Sequence, residues 1–544
     1  MKTARTFLII SLFLFLYSSA IFRLYNLQIE KGAYYAARAA SQHRIAGFLE
    51  PKRGNIYFTD KNNNFISAAM TKPYPVIYAV PKEIKNPEEA AKALAPILNG
   101  NAGNLAKILG KSNDPYESLL KKASQSQVKK TEELNIKGIY IDEVESRFYP
   151  LGNLASQVLG FVSPAADDDF LSGRYGIELY FDDKLSGEEG RLEGDRLVDP
   201  IAGEDIYTTI DSNIQIRAEE ILSDLVMKYK AESGIVMVQE PKTGKILALG
   251  VYPNFDLNSY GEYDIKTFLN PAIQSIYEPG SIFKVITMAA GIDSGKITPE
   301  TRYYDSGSLT LDGRTIKNWD LKAHGWMTMT EVIEQSINTG AAYAAKMLGN
   351  DLFYNYLVKF GFSEKTGIKL PGELSGNLIN LEKSFRQINF ATASFGQGVA
   401  VTPIRLISAI SAIANGGVVM KPYIYQNEKP AVVRRAVSEE AARQVTGMMV
   451  SAVKKAQIAQ VPKFDVAGKT GTAQVPDFKR GGYTDQVINT YSGFAPAYDP
   501  RFTILIRIDK PAGAPLAGLT VVPAFRELAE FILNYYNVPP DYLE

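Results

Sequence analysis

Three short segments of this chain hold side chains whose types and spacing could transfer an acyl group. Ser281-Ile282-Phe283-Lys284 places a hydroxyl and an amine one helical turn apart, directly after Pro279-Gly280. Residues at that spacing share a face of a helix. The apolar run that follows, SIFKVITMAAGI, predicts a helix buried on all sides. Burial disfavours an ammonium, so Lys284 can be neutral and take the serine proton. Backbone N–H groups at the start of such a helix are unpaired and can face a developing oxyanion. Ser336-Ile337-Asn338 and Lys469-Thr470-Gly471-Thr472 supply further hydroxyls, an amide and a second amine. The chemistry expected is acyl transfer through a serine ester.

Each segment also occurs elsewhere in the chain, so context has to select among the copies. Ser126 and Lys129 lie in the polar run KKASQSQVKK, which offers no apolar face. Ser451 and Lys454 lie in MMVSAVKKA, read as a surface helix with a solvated lysine pair. Ser375-Gly376-Asn377 repeats the second segment. Lys242-Thr243-Gly244 sits between two apolar runs and reads as a hairpin turn. Lys365-Thr366-Gly367 falls in a polar loop. Lys469 alone is set among small residues, in FDVAGKTGTAQVP, as expected for a strand walling a cleft where glycines admit a substrate backbone.

With 544 residues, 46% of them hydrophobic, the chain can bury large cores in two or more domains. Lys+Arg and Asp+Glu both number 59, so nothing points to nucleic acid. There is no cysteine, which removes thiol catalysis, thiolate metal sites and disulfides without fixing the compartment. No cofactor or metal site is expected. The two histidines, His43 and His324, lack the surroundings of a Ser-His-Asp triad. His324 reads as a loop residue near the cleft and His43 as a surface residue. Residues 1–5 read as a short cytoplasmic tail bearing Lys2 and Arg5, and 6–22 as an uncharged transmembrane anchor at the short end of the spanning range. The alternative is a signal peptide cleaved after Ser18-Ser19-Ala20. In both cases the positive-inside preference places the rest outside the cytoplasmic membrane.

Residues 24–204 look like a non-catalytic module of short strands and polar loops. EPKRGNIYFTDKNNNFISAA predicts a hairpin, while NPEEAAKALAPIL and DPYESLLKKASQ have helical spacing. From 205 to 544 the texture changes. DIYTTIDSNIQIRAEEILSDLVMKY reads as a strand, a turn and an amphipathic helix. The hairpin around Lys242, the Ser281 helix, a helical middle including the buried run at 404–414, three late strands and a terminal helix follow. The fold class expected is multidomain α+β, its catalytic sheet pairing N- and C-terminal strands between helical layers.

Over nearly its whole length the chain resembles the class B, monofunctional penicillin-binding proteins. The resemblance rests on Arg53-Gly54-Asn55-Ile56 with Asp60, Arg147-Phe148-Tyr149-Pro150 with Gly152, Gly160-Phe161-Val162 and Gly173-Arg174-Tyr175-Gly176-Ile177-Glu178 for a dimerisation or pedestal module. It continues through Tyr277-Glu278-Pro279-Gly280-Ser281 and Ser394-Phe395-Gly396-Gln397-Gly398 with Thr402-Pro403. It implies a peptidoglycan D,D-transpeptidase with a β-lactamase-like catalytic domain, acting on stem peptides ending in D-Ala-D-Ala and acylated by β-lactams. Ser281 would be the nucleophile and Lys284 the base. Ser336 would relay a proton, Asn338 would hold substrate backbone, and Lys469 would keep the potential positive. Thr470 and Thr472, flanking Gly471, would bind the substrate carboxylate, and the N–H groups of Ser281 and Thr472 would form the oxyanion hole. Ile337 departs from the aspartate of many β-lactamases. The implied partners are a membrane-embedded glycan polymerase and other division or elongation proteins, and the segments look more like the septal than the elongation type. A β-lactam-hydrolysing or β-lactam-sensing protein, or a catalytically inactive scaffold, are the competing readings.

Overall fold

The computed structural model describes residues 51–542, apart from 112–113, 115, 166–167, 194–195, 478 and 515, together with part of 13–25. Residues 1–5 and most of the expected anchor at 6–22 lie outside the described residues, and so does His43. No helix among the described residues is long and apolar enough to cross a membrane. The chain forms two compact units, and it enters each more than once.

One unit holds Ala69–Phe148 and Asp183–Asp205 with the described residues before Ile56. Strand β1 (Ile56–Thr59), the turn after it and the first residues of β2 (Phe65–Ala79) are counted with the second unit, and the rest of β2, from Ala69, carries the sheet of this one. The turn closes as expected of its asparagines: Asn63 takes a φ of +60° and Asp60 accepts from Asn62 and Asn64 N–H at 2.8 and 2.9 Å. Helices α1 (Pro87–Leu98) and α2 (Ala102–Leu109) follow, each started by an asparagine side chain that accepts from backbone N–H. Strand β3 (Glu117–Leu120), helix α3 (Gln125–Glu133) and strand β4 (Ile139–Phe148) complete the order. The segment DPYESLLKKASQ is therefore not helical as its spacing suggests. Its centre pairs with β2, Ile77 opposite Leu120, and the helix begins only at the Ser124 capping box. Leu119 and Leu120 pack against a core of Ile77, Ala91, Leu94, Leu105 and Leu109, so burial overrides the periodicity. The strands are also longer than expected: β2 has 15 residues and β4 has 10.

The second unit joins Ile56–Ala68 and Tyr149–Asp182 to Ile206–Glu544. Strand β5 (Ile206–Asp211) runs parallel to β1, with Ile56 opposite Ile206 and Tyr57 stacked on Tyr207 at 5.1 Å. Asp211 caps α4 (Ser212–Tyr229), as the Asp-Ser-Asn turn predicts. Strands β6 (Ser233–Gln239) and β7 (Ile246–Tyr252) form the expected hairpin. The late strands β8 (Ala467–Pro476), β9 (Tyr483–Ala495) and β10 (Phe502–Asp509) complete a five-stranded antiparallel sheet in the order β7-β6-β10-β9-β8. Helices α4 and α10 (Val521–Tyr535) share a core with Val236, Val238, Ile504 and Ile506 of this sheet. Between β7 and β8 lie the helices of the site: α5 (Phe283–Asp293), α6 (Met329–Gln335), α7 (Asn338–Leu348), α8 (Pro403–Ala414) and α9 (Glu439–Ala456). The 404–414 run is the buried interior of α8, and Arg405 within it is 3% exposed.

Candidate active site

Three elements meet at one cleft. The first is the 3-10 turn Gly280–Ile282 that feeds α5 and carries Ser281. Gly280 has a φ of +60°, and a Cβ there would lie 2.9 Å from Thr472 O. Only glycine lets this turn approach β8 so closely. Helix α5 is buried from Phe283 to Gly291, which takes Lys284 out of water completely. The second element is the junction between α6 and α7. Ser336 caps α6 in the left-handed region, φ +59° and ψ 43°, and its N–H bonds Val332 O. A non-glycine residue held there stores about 1–3 kcal/mol of strain, which the surroundings must offset. Ile337, next in line, is fully buried, so its departure from an acidic residue is a packing feature. The third element is β8, which carries Lys469–Thr472, with Lys469 opposite Ser492 and Thr472 opposite Asn489 of β9. A Cβ on Gly471 would lie 2.7 Å from Pro279 O, so this glycine too allows β8 to abut the turn that carries Ser281.

These elements bring six polar side chains into one hydrogen-bonded set. Lys284 Nζ lies 2.9 Å from Ser281 Oγ, 2.6 Å from Ser336 O, 3.1 Å from Ser336 Oγ and 2.8 Å from Asn338 Oδ1. Asn338 Nδ2 donates to Lys317 O at 3.0 Å, which fixes the amide with its oxygen toward Lys284. The Ser336 carbonyl and the Asn338 amide oxygen can only accept, so they take both hydrogens of a neutral amine and leave its lone pair for the Ser281 hydroxyl. Burial, helped by the charge of Lys469, holds the Lys284 pKa well below that of an exposed lysine. Lys469 Nζ donates to Ser336 Oγ at 3.0 Å and to Thr470 O and Oγ1, both at 3.2 Å. Burial lowers its pKa to about 7. Ser336 Oγ thus bridges the two amines. Thr472 Oγ1 accepts from Ala517 N–H at 3.2 Å.

The cleft above this set has a volume of about 810 Å³, and Ser281, Ser336, Asn338, Thr470 and Thr472 all line it. The repeated segments lie elsewhere. Ser126 and Lys129 are exposed on α3. Ser451 donates to Glu334 at 2.6 Å while Lys454 pairs with Asp465 at 2.8 Å. Lys242 pairs with Asp499 at 2.5 Å in the β6–β7 turn. Thr366 and Gly367 cradle the Glu373 carboxylate through their N–H groups at 2.6 and 3.0 Å. Asn377 pairs its backbone with Ala400.

One wall of the cleft, Lys317–Leu321 with His324, carries no motif and was not legible as a unit. Its organiser is Asp305, 1% exposed. That carboxylate accepts from Asn318 Nδ2 at 2.8 Å, Thr339 Oγ1 at 2.6 Å, and the N–H groups of Gly307 and His324, both at 3.0 Å. In the sequence, Asn318-Trp319-Asp320 is the one turn-like run in this wall. His324 lies near the cleft, as its loop context suggests.

Residues 234–530 match the model of the penicillin binding protein transpeptidase domain, and residues 48–196 match that of the penicillin-binding protein dimerisation domain. The chain is 34% identical to the "Stage V sporulation protein D" of Bacillus subtilis over 87% of its own length and 76% of that protein. It is 29% identical to the "Probable peptidoglycan D,D-transpeptidase PbpC" of Pseudomonas aeruginosa, over 100% of this chain and 97% of the other. Among solved structures it resembles penicillin binding protein 3 of Mycobacterium tuberculosis complexed with aztreonam, with a TM-score of 0.71 and 26% identity, covering 91% of this chain and 98% of that one.

Proposed function

The chain belongs to the class B penicillin-binding proteins, with a dimerisation and a transpeptidase domain, and from that premise we propose how its cleft works as a peptidoglycan D,D-transpeptidase. Ser281 attacks the penultimate D-alanyl carbonyl of a stem peptide. Lys284 takes the hydroxyl proton. The N–H groups of Ser281 and Thr472 hold the oxyanion. Ser336 Oγ passes a proton to the leaving D-alanine nitrogen, and an amine of a second stem then takes the acyl group from Ser281. Thr470 and Thr472 receive the terminal carboxylate of the donor, and the Lys469 charge attracts it. β-Lactams enter the same cleft as acylating agents. Carrying this reading is the position of Lys284 Nζ, 2.9 Å from Ser281 Oγ with both of its hydrogens directed to obligate acceptors. Labelling with a fluorescent penicillin tests it. The adduct should survive denaturation, map to Ser281 and vanish in Ser281→Ala; an adduct on another residue would refute the assignment.

The finer role is septal cross-linking by a protein anchored through residues 6–22 and paired in the membrane with a glycan polymerase. Lys2 and Arg5 before an uncharged run support the anchor. Replacing 6–22 with an unrelated spanning helix should keep penicillin labelling and impair wall synthesis in cells. Full complementation would leave the segment as a tether. The identity with a sporulation protein favours a second reading, wall synthesis during spore formation; depletion in a growing culture separates the two, since only the septal role predicts filaments.

A further inference from the structure

The imidazole of His324 and the carboxylate of Asp320 form a pair that the acylation chemistry leaves unused. Their nitrogen and oxygen, Nε2 and Oδ2, are 3.1 Å apart, and the side chains are 19% and 17% exposed. Both line the cleft that holds Ser281. Nε2 is buried and makes no hydrogen bond, its approach to Asp320 being an ion-pair contact, and among the described residues nothing bonds Nδ1. The loop is held firmly: His324 N–H bonds the buried Asp305 and Trp319 Nε1 donates to Gln335 O, both at 3.0 Å. Asp320 Oδ1 accepts from Lys322 N–H at 3.1 Å, which orients its carboxylate.

Cross-linking needs an uncharged amine in its second half, yet an aliphatic amine near neutral pH is an ammonium, with a pKa of about 10.4. Lys284 carries the proton that returns to Ser281 Oγ, and neither it nor Lys469 can attract a cation, so capture of the incoming ammonium falls to another group. We infer that Asp320 and His324 are the acceptor-amine site, the carboxylate attracting the ammonium and His324 Nδ1 removing its proton. This rests on the transpeptidase reading above. The ammonium gives one proton to Nδ1, and the resulting imidazolium is stabilised by Asp320 at Nε2. The freed lone pair forms the C–N bond to the Ser281 ester carbonyl. The C–Oγ bond then breaks, the second amine proton returns to Ser281 Oγ through Lys284, and the imidazolium releases its proton to water. The sum is ester plus ammonium giving amide, serine and one proton.

The test reads the fate of acyl-enzyme already formed, so it does not depend on the acylation rate. A D-alanyl thioester donor acylates full-length wild type, His324→Gln and Asp320→Asn, and amide and acid products are measured with D-alanine or hydroxylamine as acceptor. Hydroxylamine is already neutral at neutral pH and needs no base. With D-alanine the amide-to-acid ratio should fall about tenfold or more in His324→Gln, and also in Asp320→Asn, a conservative estimate for losing a general base. With hydroxylamine both variants should stay within about twofold of wild type, because the transferred proton is no longer required. An unchanged D-alanine ratio in both variants would overturn the inference. Equal losses with the two acceptors would overturn it too, by showing a merely structural role. Failure of wild type to form any acyl-enzyme would instead remove the transpeptidase reading itself.

Discussion

Lys284 Nζ has four oxygen neighbours within 3.1 Å, none of them a carboxylate. Without a counter-charge, burial dominates and holds the pKa of this amine well below that of an exposed lysine. Lys284→Arg should therefore lose penicillin acylation by more than about a hundredfold, because arginine keeps its proton. Acylation followed against pH should rise as Lys284 sheds its proton and fall as Lys469 loses its own, from about 7 upward. Lys469→Arg, charged throughout, should show no descending limb. The same burial costs stability. The folded pKa of Lys469 lies below the 10.5 of an exposed lysine, so the unfolded chain binds more protons between about 7 and 10.5. The penalty is full below about 7 and is relieved as pH rises through that window. Lys469→Met should accordingly melt higher at pH 6 by about 1–2 kcal/mol, and its advantage should shrink toward pH 10 while acylation is lost at both.

The left-handed turn between α6 and α7 separates two contributions of Ser336, its hydroxyl and its backbone. Ser336→Ala and Ser336→Gly both remove the oxygen proposed as the relay, and acylation should fall alike in both. Glycine occupies a φ of +59° without strain, so urea unfolding should find Ser336→Gly more stable than Ser336→Ala by about 1 kcal/mol. Gly471→Ala tests the contact of β8 with the turn before Ser281. The added methyl would lie 2.7 Å from Pro279 O, and moving the strand should cost about 1–3 kcal/mol and depress acylation together. Elements with strong local signals were legible in the sequence: the β6–β7 hairpin, the Asp211-capped helix, the apolar α5 and the late strands. The segment around Glu117–Leu120 was not, because its two leucines suit a helix as well as a strand and β2 decides between them. Nor was the wall from Lys317 to His324, since Asp305 assembles it through hydrogen bonds spanning up to 34 residues.

At the scale of the molecule, the proposed catalytic groups sit in a unit that the chain does not finish in one pass. The shift in composition near Glu204 marks where helices take over, but the contacts of Ile56–Ala68 and Tyr149–Asp182 come from aromatic residues far away in sequence. Phe161 stacks on Tyr260 at 4.0 Å and meets Phe268 edge-on at 4.9 Å. Gln157 Nε2 donates to Pro253 O and Thr267 O at 2.9 and 3.0 Å. A chain beginning at Pro51 should keep penicillin labelling and a cooperative melt. One beginning at Ile206 should bind less penicillin and melt lower, since it uncovers Phe255 and Phe268 and deprives β5 of β1; equal melting of the two would show that the earlier segments are dispensable. The strand order of the catalytic sheet has a further consequence, for the order in which the polypeptide matures. Strand β6 is made early, yet its permanent neighbour on one side is β10, with Val236 opposite Ile506. While the intervening chain is still being synthesised, β6 presents an open, apolar edge that can pair with any passing strand. Contacts this distant in sequence form slowly, and the chain has no cysteine to trap a partial structure. Every molecule therefore passes through an interval of exposure to aggregation and proteolysis that closes only when the last strands dock, which makes its abundance in the cell sensitive to whatever shields that edge.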